Sequence, residues 1–101
     1  MEQIYLDNNR LTKEELEEIK RLAGLFFTPR EIAIMLEKDV TSFITLCEME
    51  SDIATAFQCG RLQREVDLRS KIIKLAESGS SPAQTMAMDM LKKSQIKMID
   101  R

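Results

Sequence analysis

The chain has 101 residues, of which 44% are hydrophobic and 32% charged, with three glycines, two prolines and a net charge of −2 at pH 7. That length fits one domain with a modest core, and the balance of apolar to charged residues excludes a disordered chain. The complete absence of histidine excludes imidazole acid–base chemistry and most catalytic metal sites.

The first ten residues, MEQIYLDNNR, set an apolar trio, Ile4, Tyr5 and Leu6, ahead of turn formers and read as a short arm. Thr12 with Glu15 three residues on forms a capping box, and Leu11 and Leu16 hold the two positions of a hydrophobic staple, so a first helix starts here. Its apolar side chains, Leu16, Ile19, Leu22, Ala23 and Phe26, recur at three- and four-residue intervals. Glu14, Glu17, Glu18 and Arg21 face water, and Gly24 weakens the helix end.

Thr28, Pro29 and Glu31 repeat the capping signature, with Phe27 and Ile32 as its staple. Ile32, Ala33 and Leu36 then share one face, Glu37 and Lys38 make a turn, and Asp39 caps a further short helix whose Phe43 and Leu46 point back at the preceding one. Two short helices joined by a tight turn are the pattern of a helix-turn-helix. In DNA-binding proteins the second of these helices lies in the major groove. Its expected outer face is Val40, Thr41, Ser42, Thr45, Glu48 and Met49, without lysine or arginine.

Ser51 is placed to cap a long helix that runs to about Ser78 and stops at Gly79. Phe57, Leu62, Val66, Leu68, Ile72, Ile73, Leu75 and Ala76 spread too widely around it for a single seam, which predicts contact with two surfaces, one of them another subunit. Gly60 predicts a kink or break near Cys59. Ser81, Pro82 and Gln84 repeat the capping signature, with Ser81 as cap and Gln84 three residues on, and open a last helix through Ile99 whose apolar side is Ala83, Met86, Ala87, Met90, Leu91 and Met98. Methionine adapts to irregular surfaces, so this helix suits a contact that re-packs on assembly, or a hairpin folded back on the long helix, or both.

The expected fold is therefore all-α, about five helices, with a central helix-turn-helix followed by a long helix and a C-terminal helix forming a hairpin. Residues 1–50 hold the arm and the helix-turn-helix, and residues 51–101 hold a helical oligomerisation hairpin, within one compact domain. Residues 1–60 carry 6 Lys/Arg against 12 Asp/Glu, a balance of −6, and residues 61–101 carry 9 against 5, a balance of +4. Such a split favours packing between subunits or places nucleic-acid contact in the second half. Arg61, Arg64, Arg69, Lys71, Lys74, Lys92, Lys93 and Lys97 read either as a solvated face or as a weak basic patch multiplied by assembly.

No catalytic constellation is present in this reading. The glutamates of the first helix complement its dipole, the three glycines are isolated, and Cys47 and Cys59 read as reduced thiols without disulfide or zinc spacing. No enzyme activity, cofactor or metal is expected. No apolar run reaches the length of a membrane span, and with no signal peptide recognised the reading is a soluble intracellular protein.

The run LAGLFFTPREIAIML, the short helix leading to Phe43 and the segment SDIATAFQCGRLQREVDLRSKIIKLAESGSSPAQTMAMDML resemble the small terminase subunits of tailed phages and related prophage helix-turn-helix proteins. The resemblance covers roughly residues 12–94 and includes the row Ala56, Phe57, Gly60 and Arg61. It implies a non-enzymatic role in viral genome packaging, in the host cytoplasm or the phage particle: recognition of double-stranded DNA, self-assembly through the helices after the motif, and transfer of DNA to a large terminase subunit. Carried onto this chain, Thr41, Ser42 and Thr45 would face the groove with Arg30 and Lys38 near the phosphates. Phe57, Leu62, Val66, Ile73, Met86 and Met90 would form the oligomer interface. Two other readings stand beside it: a phage structural or adaptor protein that uses the helix-turn-helix to bind protein, and a small transcriptional regulator.

Overall fold

The structure, a computed structural model, describes residues 11–100, with side chains through Met98; the expected arm at Ile4, Tyr5 and Leu6 lies outside the described residues. The fold is all-α. Its helices are α1 (Lys13–Gly24), α2 (Pro29–Met35), α3 (Val40–Cys47), α4 (Asp52–Glu77) and α5 (Ser81–Asp100), and no strand occurs among the described residues. Packing divides the chain into two compact units, one ending at Arg64 and one beginning at Glu65, so α4 contributes its first half to one and its second half to the other.

The start of each early helix follows from its cap. Thr12 accepts the Glu15 amide at 3.1 Å while the Glu15 carboxylate accepts the Thr12 amide at 3.0 Å, and Thr28 and Glu31 make the same reciprocal pair at 3.2 and 2.9 Å. Asp39 accepts the Ser42 amide. The Ser51 hydroxyl serves two helices, donating to the last turn of α3 at Leu46 O (2.7 Å) and accepting the Ala54 amide that opens α4.

Three helix ends share one device. In each, the residue two past the last helical one takes a left-handed conformation, and two amides turn back onto carbonyls of the final turn. After α1 it is Phe26 (φ 70), with Phe26 N–H to Ala23 O and Phe27 N–H to Leu22 O; after α2 it is Glu37 (φ 58), with Glu37 N–H to Ile34 O and Lys38 N–H to Ala33 O. After α4 it is Gly79 (φ 102), with Gly79 N–H to Ala76 O and Ser80 N–H to Leu75 O. Only the last uses the residue for which this conformation costs nothing. Phe26 is thus outside α1 and exposed, where its spacing had suggested the buried face, and Gly24 is still helical and buried.

The core of the first unit gathers Ile19, Leu22 and Ala23 from α1, Ile32 and Ala33 from α2, Phe43 from α3, and Ile53 and Ala56 from α4. Leu11, Leu16, Phe27, Leu36, Val40 and Leu46 close its edges; Val40, expected on the outer face of α3, belongs to this set. Gly60 explains itself here. Helix α4 runs through it without a break, because the expected kink is replaced by a close crossing: a Cβ at Gly60 would lie 2.2 Å from the backbone oxygen of Lys20. Opposite, a Cβ at Gly24 would meet Gly60 O at 3.2 Å, so both glycines serve the α1–α4 contact.

In the second unit, the turn 78–80 joins α4 to α5. The cap of α5 is Ser80, whose hydroxyl accepts the Ala83 amide, one residue earlier than the sequence suggested; Gln84 reaches back to Ala76 O (3.1 Å) instead of closing a capping box. Ala83 is buried at this turn, and from Leu91 to Met98 every side chain of α5 is exposed.

Candidate nucleic-acid interface

The α2–turn–α3 unit is held from behind. Phe43 and Ile32 are fully buried, and the Lys38 ammonium, in the turn, lies 3.1 Å from the Glu15 carboxylate in the first turn of α1. That carboxyl sits below its ordinary range, first because it accepts the Thr12 amide and further because of Lys38. One glutamate thereby caps α1 and pins the turn. Asp39 is held low in the same way by the hydroxyl and amide of Ser42.

These ties sort the residues expected to face DNA. Thr41 and Thr45 are exposed one turn apart on the outer face of α3, and the Thr45 hydroxyl donates to Thr41 O. Ser42 is half-buried and turned to Asp39. Arg30 is exposed in the first turn of α2. Lys38 has only 18% of its side chain exposed and its charge is answered by Glu15. The structure therefore brings together Thr41 and Thr45, with Glu48 and Met49 exposed just beyond α3, and commits Lys38 to Glu15.

The long-helix arginines of the first unit are also engaged. Arg61 donates through Nε to Ala23 O (2.9 Å) and through a terminal nitrogen to Phe27 O (3.0 Å), and Arg64 Nε donates to Gly24 O (2.8 Å). Two guanidinium groups thus reach the carbonyls of the last two residues of α1, Ala23, which also accepts the Phe26 amide, and Gly24, together with that of Phe27 in the connection that follows. The Arg61 guanidinium also lies 4.7 Å from the Phe57 ring centroid and 5.8 Å from that of Phe26. The row Ala56, Phe57, Gly60 and Arg61 is thus the α4 side of one crossing: a buried small residue, a ring under a cation, a point of backbone contact and a carbonyl clamp. Sequence reasoning took Arg61 and Arg64 for surface charge. No local signal in the sequence corrects it: the guanidinium donors to Ala23 O, Phe27 O and Gly24 O come from 34 to 40 residues away.

Of the expected oligomer residues, Phe57 packs against the core of the first unit, Leu62, Val66, Ile73 and Met86 are exposed, and Met90 is half-buried. Arg69 and Lys93 are paired along their own helices, with Glu65 at 3.3 Å and Asp89 at 3.0 Å. Cys47 and Cys59 are free, and burial, with a smaller part from the Glu48 charge, pushes the Cys47 thiol up to about 11, which keeps it protonated. Among the described residues no helix is long and apolar enough to cross a membrane, and no group of three or more acidic or cysteine side chains is placed to hold a metal. Comparison with protein-family models, with curated proteins and with solved structures finds no match to this chain.

Proposed function

We propose that the chain is a non-enzymatic, self-assembling helix-turn-helix protein of the DNA-packaging kind, similar in role to a small terminase subunit. The observation that carries this reading is the α2–turn–α3 unit, capped at both helices and backed by Phe43, with Thr41 and Thr45 displayed on the outer face of α3 and Arg30 exposed on α2. The first unit, hereafter the head, offers few free cations at its helix-turn-helix, so duplex DNA would be held by several heads at once, weak sites being multiplied by assembly. A large terminase subunit or another phage structural protein is the partner this role requires.

The test is fluorescence anisotropy with a labelled duplex at low and moderate salt, together with light scattering of the same samples. Salt-sensitive binding that falls in Arg30→Glu and in Thr41→Asp supports the reading; a chain that ignores duplex at low salt sinks it. A second reading is favoured by one set of observations: the outer face of α3 carries no cation of its own, and Lys38, Arg61 and Arg64 are all spent on internal partners. On that reading the same face binds protein, the chain is an adaptor of the phage particle, and substitution at Thr41 or Met49 disrupts a protein complex while DNA is ignored.

A further inference from the structure

Glu15 carries two duties, one on each carboxylate oxygen. Oε1 accepts the Thr12 amide at 3.0 Å and closes the cap of α1, while Oε2 meets the Lys38 ammonium at 3.1 Å in the turn between α2 and α3. The turn is fixed where Lys38 leaves it: Glu37 is left-handed (φ 58), the Lys38 amide is held by Ala33 O (2.9 Å), and Asp39 caps α3. What stays adjustable is the lysine side chain, an ammonium on a flexible stem. A helix-turn-helix sets the start of its second helix against the DNA, and Lys38 is the cation nearest in sequence to that start, two residues ahead of Val40. Its neighbours Glu37 and Asp39 are exposed carboxylates, so with Lys38 answered by Glu15 the turn presents negative charge.

We propose that Glu15 is an autoinhibitory latch on Lys38: in the free chain it withholds the one cation of the turn, and a DNA phosphate that reaches the turn takes the ammonium over. This deepens the DNA-binding reading above and rests on it. Carboxylate and phosphate compete for the same donor, and an ion pair whose side chains are 18% and 30% exposed is held weakly enough for the exchange to run. Opening the latch does not uncap α1, because the Thr12 amide is bound to the other oxygen. The cap needs only an acceptor at this position; the latch needs the charge.

Glu15→Gln separates the two duties, since glutamine serves in a capping box without carrying a charge. Fluorescence anisotropy with a labelled duplex between about 50 and 200 mM salt should show the variant binding roughly tenfold tighter at the low end, with a log K against log salt slope steeper by about 0.9 for each head engaged, the value for one added phosphate contact. Adding Lys38→Gln should return the affinity to within about twofold of the parent, and Glu14→Gln, which removes the same charge from an exposed neighbouring position, should change it by about twofold at most. No gain from Glu15→Gln, a gain that persists in the double variant, or an equal gain from Glu14→Gln overturns the latch. The unsubstituted chain gives a check that no folding failure of a variant can obscure: saturation with duplex should shift the Lys38 side-chain NMR resonances, and a duplex-bound chain in which they stay in place overturns the latch as well. A parent that binds duplex with no gain from Glu15→Gln removes the latch alone. A parent that ignores duplex while Glu15→Gln binds it removes the packaging reading alone, and if neither binds, both fall.

Discussion

Among the described residues, nine hydrophobic side chains are buried and six large ones are exposed in the first unit; in the second, one is buried and nine are exposed. Both are built of capped helices with comparable apolar content, and α4 passes from one to the other without interruption. What differs is convergence. Around Phe43, four helix segments bring their apolar faces to one point and fix them with clamps that reach 34 to 40 residues across the sequence, Arg61 to Ala23 and Phe27, and Arg64 to Gly24. In the hairpin, two helices meet at a turn, and of residues 65–98 only Ala83 is a buried hydrophobic. A low local density of buried contacts is what separates regions that open easily from those that open only with the whole fold, so the head should behave as a cooperative unit and the hairpin should not.

Phe43→Ala bears on that contrast most heavily. The ring is fully buried at the point where all four segments meet. Its removal should cost about 3–5 kcal/mol, enough to unfold a head of ordinary stability, and urea denaturation followed by circular dichroism will show it. A loss below about 1 kcal/mol would mean that the core relaxes freely and that the head is no better packed than the hairpin.

Gly60→Ala comes next. A methyl group placed 2.2 Å from a backbone oxygen cannot be relieved by rotating a side chain, so α1 and α4 must separate. The expected loss is about 3 kcal/mol, at the upper end for added volume in a packed site. Gly79→Ala supplies the control in the other unit: nothing lies within 4 Å of the added atom, and only the left-handed backbone, worth about 1–2 kcal/mol, opposes it. Equal effects at the two glycines would mean that the α1–α4 crossing is no tighter than the open turn at Gly79. Arg61→Met ranks third, at about 2 kcal/mol, because it keeps the volume against Phe57 but leaves the carbonyls of Ala23 and Phe27 without their charged donor.

Much of the architecture was legible because it is written locally. Thr12, Thr28, Asp39 and Ser51 all start helices where a small oxygen-bearing side chain precedes an apolar period, and Gly79 ends one where a positive φ is needed. What escaped is whatever depends on distant neighbours. Gly60 looks like a weak point in a helix until α1 is laid across it. Arg61 and Arg64 look like surface charge until the end of α1 is beside them, and Lys38 looks free until Glu15 is. Phe26 and Glu37 hide their left-handed conformation because neither residue type announces it; the hydrogen-bond needs of the preceding helix impose it. Of the candidate interface, then, the exposed threonines could be read from spacing alone, whereas the state of each cation could not.

The smallest effect is the most discriminating. Ile73 is 46% exposed on α4, so in a dilute sample Ile73→Ala removes few contacts and should change the stability of the head by no more than about 0.5 kcal/mol. If self-assembly covers the hairpin, the same substitution should become costly as concentration rises, toward the roughly 2–5 kcal/mol seen when a buried isoleucine is truncated. A substitution whose cost depends on concentration measures burial that a single chain does not contain. Denaturation of the variant and the parent at two concentrations therefore separates an unfinished unit from one that is merely exposed: a cost that stays small at both leaves the hairpin as a solvated arm, and the asymmetry between the two units becomes a property of the monomer alone.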